Sequence, residues 1–116
     1  MSRASSGVPR KRRTKKILKA VKGAKLERSK NLRRAKETLK RALAYSYRDR
    51  KVKKREFRSL WITRINAATR ERGITYSRFI GGLKKNKIEL SRDMLCRLAI
   101  EEPKAFDALV DIAKSG

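Results

Sequence analysis

Tyr45 to Ala68, YSYRDRKVKKREFRSLWITRINAA, is the stretch whose reading decides the fold. Its first part is nearly pure charge. From Arg48 to Arg58, seven of eleven residues are Lys or Arg, against Asp49 and Glu56. Its second part is apolar at helical spacing, with Phe57, Leu60, Trp61, Ile65 and Ala68 at i, i+3, i+4, i+8 and i+11. Nothing between the two parts breaks a helix. One rod is therefore predicted to leave a basic, core-free region and enter a packed one, with a structured polyanion as partner.

Working outward, charge and apolar content both divide at this join. The chain has 116 residues and a net charge of +24. Residues 1–56 carry 23 basic and 4 acidic side chains, and residues 57–116 carry 12 and 7, so the nets are +19 and +5. Leu, Ile, Val and Phe number 9 in the first part, below the ~20% at which a highly charged segment is expected to fold alone. The second part has 17, enough for a small core. The division expected is a basic extension, 1–56, and a small helical domain, 57–116.

The balance points to nucleic acid first and an anionic membrane surface second. A membrane-surface helix needs a broad apolar face opposite its charges, whereas Arg48 to Arg55 is basic all round. No apolar run is long enough to span a bilayer. A DNA-compacting protein would share the charge, but neither a dimer-forming surface nor a groove-reading element is evident. The Ser- and Arg-rich start without acids has the composition of an organellar transit peptide, yet a basic arm fits the rest better. The single Cys96 excludes an internal disulfide and agrees with a reducing compartment.

Catalysis is not expected. The chain has no His and one Cys, which removes the usual zinc sites and most nucleophile–base pairs. No GxxxxGK loop is present. Its eleven acids are scattered among bases, where ion pairing is the default. No cofactor, metal or small-molecule substrate is expected.

Upstream of the join, Met1 to Pro9 reads as a flexible tail. Arg10, Lys11, Arg12, Arg13, Lys15 and Lys16 form a run suited to phosphate contact. Ile17, Leu18 and Val21 suggest a short helix ending at Gly23. A long helical pattern follows, with Leu32, Ala35, Leu39, Ala42 or Leu43, and Ser46 on a thin stripe. No Gly or Pro occurs from Ala24 to Arg72; one helix over most of that span would be roughly 70 Å long. A bend near Ser46 or Val52 is left open.

Downstream, Gly73 is placed just past a helix end with Ile74 packing back. Thr75 or Ser77 caps the next helix, whose apolar face is Tyr76, Phe79, Ile80 and Leu83. Gly81 and Gly82 either allow a close helix approach or end that helix early. Asn86-Lys87 is a turn, and Ser91 caps a helix with Leu95, Leu98 and Ala99 inside. Pro103 starts the last helix, with Phe106, Leu109, Val110 and Ala113 inside. No segment reads as a strand, so the class is all-α. Trp61, Phe57, Phe79 and Cys96 are assigned to the core. Tyr45, Tyr47 and Tyr76 are either half-buried helix residues or platforms for base stacking. Asn66 is assigned to capping or RNA contact.

Several of these phrases resemble one family. Tyr47-Arg48-Asp49-Arg50, then Lys54 through Ala68 (KREFRSLWITRINAA), Gly73 through Ile80 (GITYSRFI), Gly82-Leu83-Lys84, Lys15 through Lys19 (KKILK) and Lys22-Gly23 are similar to the bacterial-type large-subunit ribosomal protein L20 family. The resemblance covers essentially the whole chain. It implies a basic helical extension threaded through large-subunit ribosomal RNA and a small helical domain at its surface. It further implies an RNA-organising role in subunit assembly, in the cytoplasmic ribosome of a bacterium or in an organelle. Neighbouring ribosomal proteins are implied as further partners, and no membrane. RNA contact is implied along Arg10 to Lys16 with Lys19 and Lys22, and along Tyr47, Arg48, Arg50, Lys51, Lys53, Lys54, Arg55 and Arg58. It is also implied around Asn66, Tyr76 and Ser77. Two departures stand out. After Lys22-Gly23 the family usually carries an aromatic pair and a glycine, where this chain has Ala24-Lys25-Leu26-Glu27. Asp93 stands where a basic residue is common.

Overall fold

The structure, a computed structural model, describes residues 3–116. These form five α-helices and one 3₁₀ turn, with no strand among the described residues. Helix α1 spans Gly7–Ala20, the 3₁₀ turn Leu26–Ser29, α2 Leu32–Glu71, α3 Tyr76–Lys85, α4 Arg92–Glu101 and α5 Pro103–Ser115. Contacts group the residues into one unit ending at Lys51 and another beginning at Val52.

The first unit departs from the sequence reading at its start. Helix α1 begins at Gly7 and absorbs Pro9 and the whole basic run, so the last three residues of the expected tail are helical; Met1 and Ser2 lie outside the described residues. Pro9 is tolerated because it is the third helical residue, where a backbone N–H has no intrahelical acceptor to lose. Gly23, just beyond α1, has φ +96°.

The long helix also starts later than its composition allows. Leu26 takes φ +57° and turns the chain, and the Asn31 side chain accepts a 3.0 Å bond from the Arg33 N–H, capping α2. A cap and a left-handed residue thus do what no Gly or Pro was present to do. Helix α2 then runs uninterrupted past Ser46 and Val52. In this unit Val21 and Ala35 are the only buried side chains among the described residues.

The second unit holds the core. Ile65, Ile74, Phe79, Leu83, Leu95, Cys96, Phe106, Val110 and Ala113 are all buried and form one cluster. Helix α5 packs on both α3 and α4. Phe79 and Phe106 meet with ring centroids 5.3 Å apart at 45°. Helix α2 ends in a Schellman motif: the Ile74 N–H donates to the Thr69 carbonyl (3.1 Å) and the Gly73 N–H to that of Arg70 (3.1 Å), with Gly73 at φ +78°. Thr69 is fully buried, and its hydroxyl donates to the Asn66 carbonyl at 3.0 Å. Arg72 ties this end of α2 to α5. Its guanidinium lies 5.0 Å from the Phe106 ring centre, pairs with Asp107 and donates to the Ala68 carbonyl at 2.8 Å.

The expected caps form. Thr75 Oγ1 accepts from the Arg78 N–H (3.4 Å), Ser91 Oγ accepts from the Met94 N–H (3.2 Å), and Pro103 opens α5. Helix α3 continues through Gly81 and Gly82, and Gly82 sits against the α5 backbone at Ala113. Two core assignments are corrected. Phe57 is 44% exposed, and Trp61 is only partly buried, packed on the edge of the cluster. Burial begins in earnest at Ile65, because α3 to α5 cover only the last turns of α2.

Candidate nucleic-acid interface

In the first unit the basic side chains stand on two helices. Arg10, Lys11, Arg12, Arg13, Lys15, Lys16 and Lys19 project from α1 and Lys22 from the turn beyond it, all exposed. Helical spacing aligns Arg12, Lys16 and Lys19 on one stripe and Lys11 and Lys15 on another, so the run is an array of rows. On α2 of this unit stand Tyr47, Arg48, Arg50 and Lys51, again exposed. Two aromatic–cation pairs form here. The Arg48 guanidinium lies 4.7 Å from the Tyr45 ring centre, and the Lys51 ammonium 5.6 Å from that of Tyr47. Arg48 also pairs with Asp49 at 3.1 Å, with both side chains over 60% exposed, where such a pair contributes little to stability.

In the second unit Lys53, Lys54, Arg55 and Arg58 continue along α2, exposed and spread round the helix. The Lys53 ammonium stands 5.7 Å from the ring centre of Phe57, which in turn lies 6.2 Å from that of Trp61. Asn66 is half-buried inside α2, several residues before the helix end, so it is not a cap. Tyr76 is partly buried on the core, and its hydroxyl accepts from Arg92 Nε at 3.3 Å. Ser77 is exposed in the first turn of α3. Asp93 is neutralised within its own helix by Arg97, 3.3 Å away.

Two features escaped the sequence reading. A cleft of about 400 Å³ in the first unit is lined by Arg28, Arg34, Glu37, Thr38, Arg41, Ala42 and Tyr45. The spacing of the six α2 residues was visible in the sequence; the arrival of Arg28 was not, because it depends on the left-handed Leu26. A second cleft, of about 470 Å³ in the second unit, gathers Arg78, Lys85 and Lys114 around Gly73 and Gly81. Its residues lie too far apart in sequence to be associated without the α3–α5 packing. No cluster of His, Cys, Asp or Glu able to hold a metal ion occurs among the described residues. No described helix is long and apolar enough to cross a membrane.

Comparison with known proteins agrees with this picture. The family model "Ribosomal protein L20" matches residues 3–109. The chain is 50% identical over 115 residues to the large ribosomal subunit protein bL20 of Pelobacter propionicus, covering 99% of this chain and 98% of that protein. It is 54% identical over 114 residues to the bL20 of Carboxydothermus hydrogenoformans, covering 98% and 97%. It is 53% identical over 115 residues to that of Methylorubrum populi, covering 99% and 95%. With a match across nearly its whole length, the chain belongs to the ribosomal protein L20 family.

Proposed function

We propose that the protein is a structural constituent of the large ribosomal subunit that binds and organises large-subunit ribosomal RNA during assembly. It is not an enzyme; family membership makes it a component of the particle. The observation that carries the reading is a mismatch in the first unit. Residues 1–51 carry 20 basic and 3 acidic side chains, a net of +17, yet only Val21 and Ala35 are buried in that unit among the described residues. Such a segment cannot offset its own repulsion and backbone entropy, on the order of 1–2 kcal/mol per residue. Phosphates supply the missing term: they cancel the charge and fix the helices, and the helices in turn hold RNA segments in place. On this reading 1–56 is the embedded extension and 57–116 the folded domain.

The contacts proposed are the exposed rows on α1 and the basic girdle of α2 from Tyr47 to Arg58, with Asn66, Tyr76 and Ser77 as contacts of the second unit. Shape and backbone are read more than sequence, because the deep groove of A-form RNA is closed to side chains. Neighbouring ribosomal proteins are the further partners, and the location is the cytoplasmic ribosome, as in the bacterial relatives. A DNA-compacting role is not favoured by the family match.

The test is co-sedimentation of the chain with large subunits in moderate salt, beside binding to a structured ribosomal RNA fragment and to duplex DNA of equal length. With about ten phosphate contacts, RNA affinity should fall on the order of 10³–10⁵-fold between ~50 and ~200 mM salt. Equal affinity for the duplex DNA, or absence from the subunit peak, defeats the proposal.

A further inference from the structure

The cleft between the 3₁₀ turn and α2 belongs to none of the contacts above. Arg34, Glu37, Thr38, Arg41 and Tyr45 follow one another at i, i+3, i+4, i+7 and i+11, so they share a single face of α2. Arg28, carried by the turn, completes the lining of a space of about 400 Å³. That is ample for one small planar ligand with attached phosphates.

Its electrostatics are unusual for so basic a helix. Glu37 stands i,i+4 to both Arg33 and Arg41, the spacing at which ion pairs ordinarily form on a helix. Among the described residues it makes no pair within 4.0 Å, and neither do Arg28, Arg34 and Arg41. A carboxylate and three guanidiniums thus line one cleft without satisfying each other. Thr38 is already engaged, its hydroxyl donating to the Arg34 carbonyl at 2.9 Å, so toward a ligand it can only accept. Tyr45 is 53% exposed, with Arg48 covering one face of its ring at 4.7 Å. The turn that brings Arg28 is held by a leucine in left-handed backbone, Leu26 at φ +57° with 88% of its surface exposed. Side chains other than glycine rarely adopt that conformation, and such residues cluster at binding sites.

Resting on the RNA-binding role above, we propose that this cleft holds one unstacked guanine nucleotide of the RNA. The guanidiniums take its flanking phosphates. The base lies on the open face of Tyr45. Glu37 selects its identity. A carboxylate accepts from two adjacent donors, and guanine alone presents two side by side on its pairing edge, N1–H and the 2-amino group. Adenine and cytosine place an acceptor next to their amino group, and uracil flanks its single N–H with two carbonyls; each sets an acceptor against the carboxylate. The guanine must come from a loop or bulge, because pairing in a helix would occupy the same edge.

The test uses the full chain and fluorescence anisotropy with labelled single-stranded RNA heptamers at about 0.15 M salt. The central residue is G, A or inosine in a run of A. The expected order is G over inosine over A, with G about tenfold tighter than A, the lower part of the range for one bidentate contact. In Glu37→Gln the ratio of G to A should fall to about one, with helicity by circular dichroism checked alongside. Equal binding of the three heptamers by the natural chain overturns the proposal, as does a G preference that survives in Glu37→Gln. If the heptamers bind equally while the ribosomal RNA fragment still binds, the guanine site is wrong and the ribosomal role stands. Failure to bind either RNA ends both.

Discussion

Gly82 of α3 lies directly against Ala113 of α5. A Cβ added at Gly82 would stand 2.7 Å from the Ala113 Cα and 2.9 Å from its carbonyl carbon. The obstacle is backbone, which cannot rotate out of the way. Gly82→Ala is therefore expected to destabilise the second unit, the ~1–3 kcal/mol of overpacking outweighing a gain of up to ~1 kcal/mol in helix propensity. Gly81→Ala is the control, since a Cβ there meets nothing within 4 Å. Thermal unfolding of the full chain should show Gly82→Ala melting lower and Gly81→Ala no lower than the natural protein. A Gly82→Ala variant as stable as the control would disprove the contact.

Lys87 occupies a position made for glycine. Its φ is +58°, the Ile88 N–H donates to the Leu83 carbonyl at 2.9 Å, and the Lys87 N–H donates to the Lys84 carbonyl at 3.0 Å. This is the same Schellman pattern that Gly73 completes after α2. Lys87→Gly should relieve the left-handed strain of ~1 kcal/mol and raise the melting temperature slightly. A lower melting temperature would mean that the lysine side chain contributes more than its backbone costs.

Along α2, burial separates three residues that sequence spacing treats alike. Ile65 is fully buried, Trp61 is at the edge of the core and Phe57 is 44% exposed. Ile65→Ala should cost ~2–5 kcal/mol, whereas Phe57→Ala should change stability by under ~1 kcal/mol. Trp61→Ala should fall between them. Denaturant melts rank the three, and a Phe57 effect as large as that of Ile65 would contradict the packing described.

The proposed division is tested with fragments. Phe57 to Gly116 contains all nine residues of the buried cluster and should melt cooperatively alone. Met1 to Glu56 should not, and structured RNA should raise its helicity, as in folding coupled to binding. Cooperative melting of the N-terminal fragment without RNA would show that its charge is tolerated without a partner.

Much of this architecture was legible in the chain. The caps at Thr75 and Ser91, the stop at Gly73, the start at Pro103 and the inner faces of α3 to α5 all follow from local rules, because short helices around one core obey spacing. The losses are of two physical kinds. The breaks at Leu26 and Lys87 use left-handed backbone without glycine, and while Lys87 fell in an expected turn, Leu26 carried no signal. Phe57 and Trp61 sat on a correct stripe, but a stripe does not say how far along a helix its neighbours reach. The basic rows were equally plain from composition, while the cleft around Glu37 required a turn to bring Arg28 to it.

The burial of Cys96 has a practical consequence. It is the sole sulfhydryl in the chain and is 3% exposed within the core of α3 to α5. A thiol reagent can modify the protein only when that core opens. Under conditions where reclosing outpaces labelling, the modification rate reports the free energy of opening of the second unit alone. The first unit, lacking a thiol, stays silent, so cysteine labelling during ribosome assembly would time the locking of one half of the molecule independently of the other.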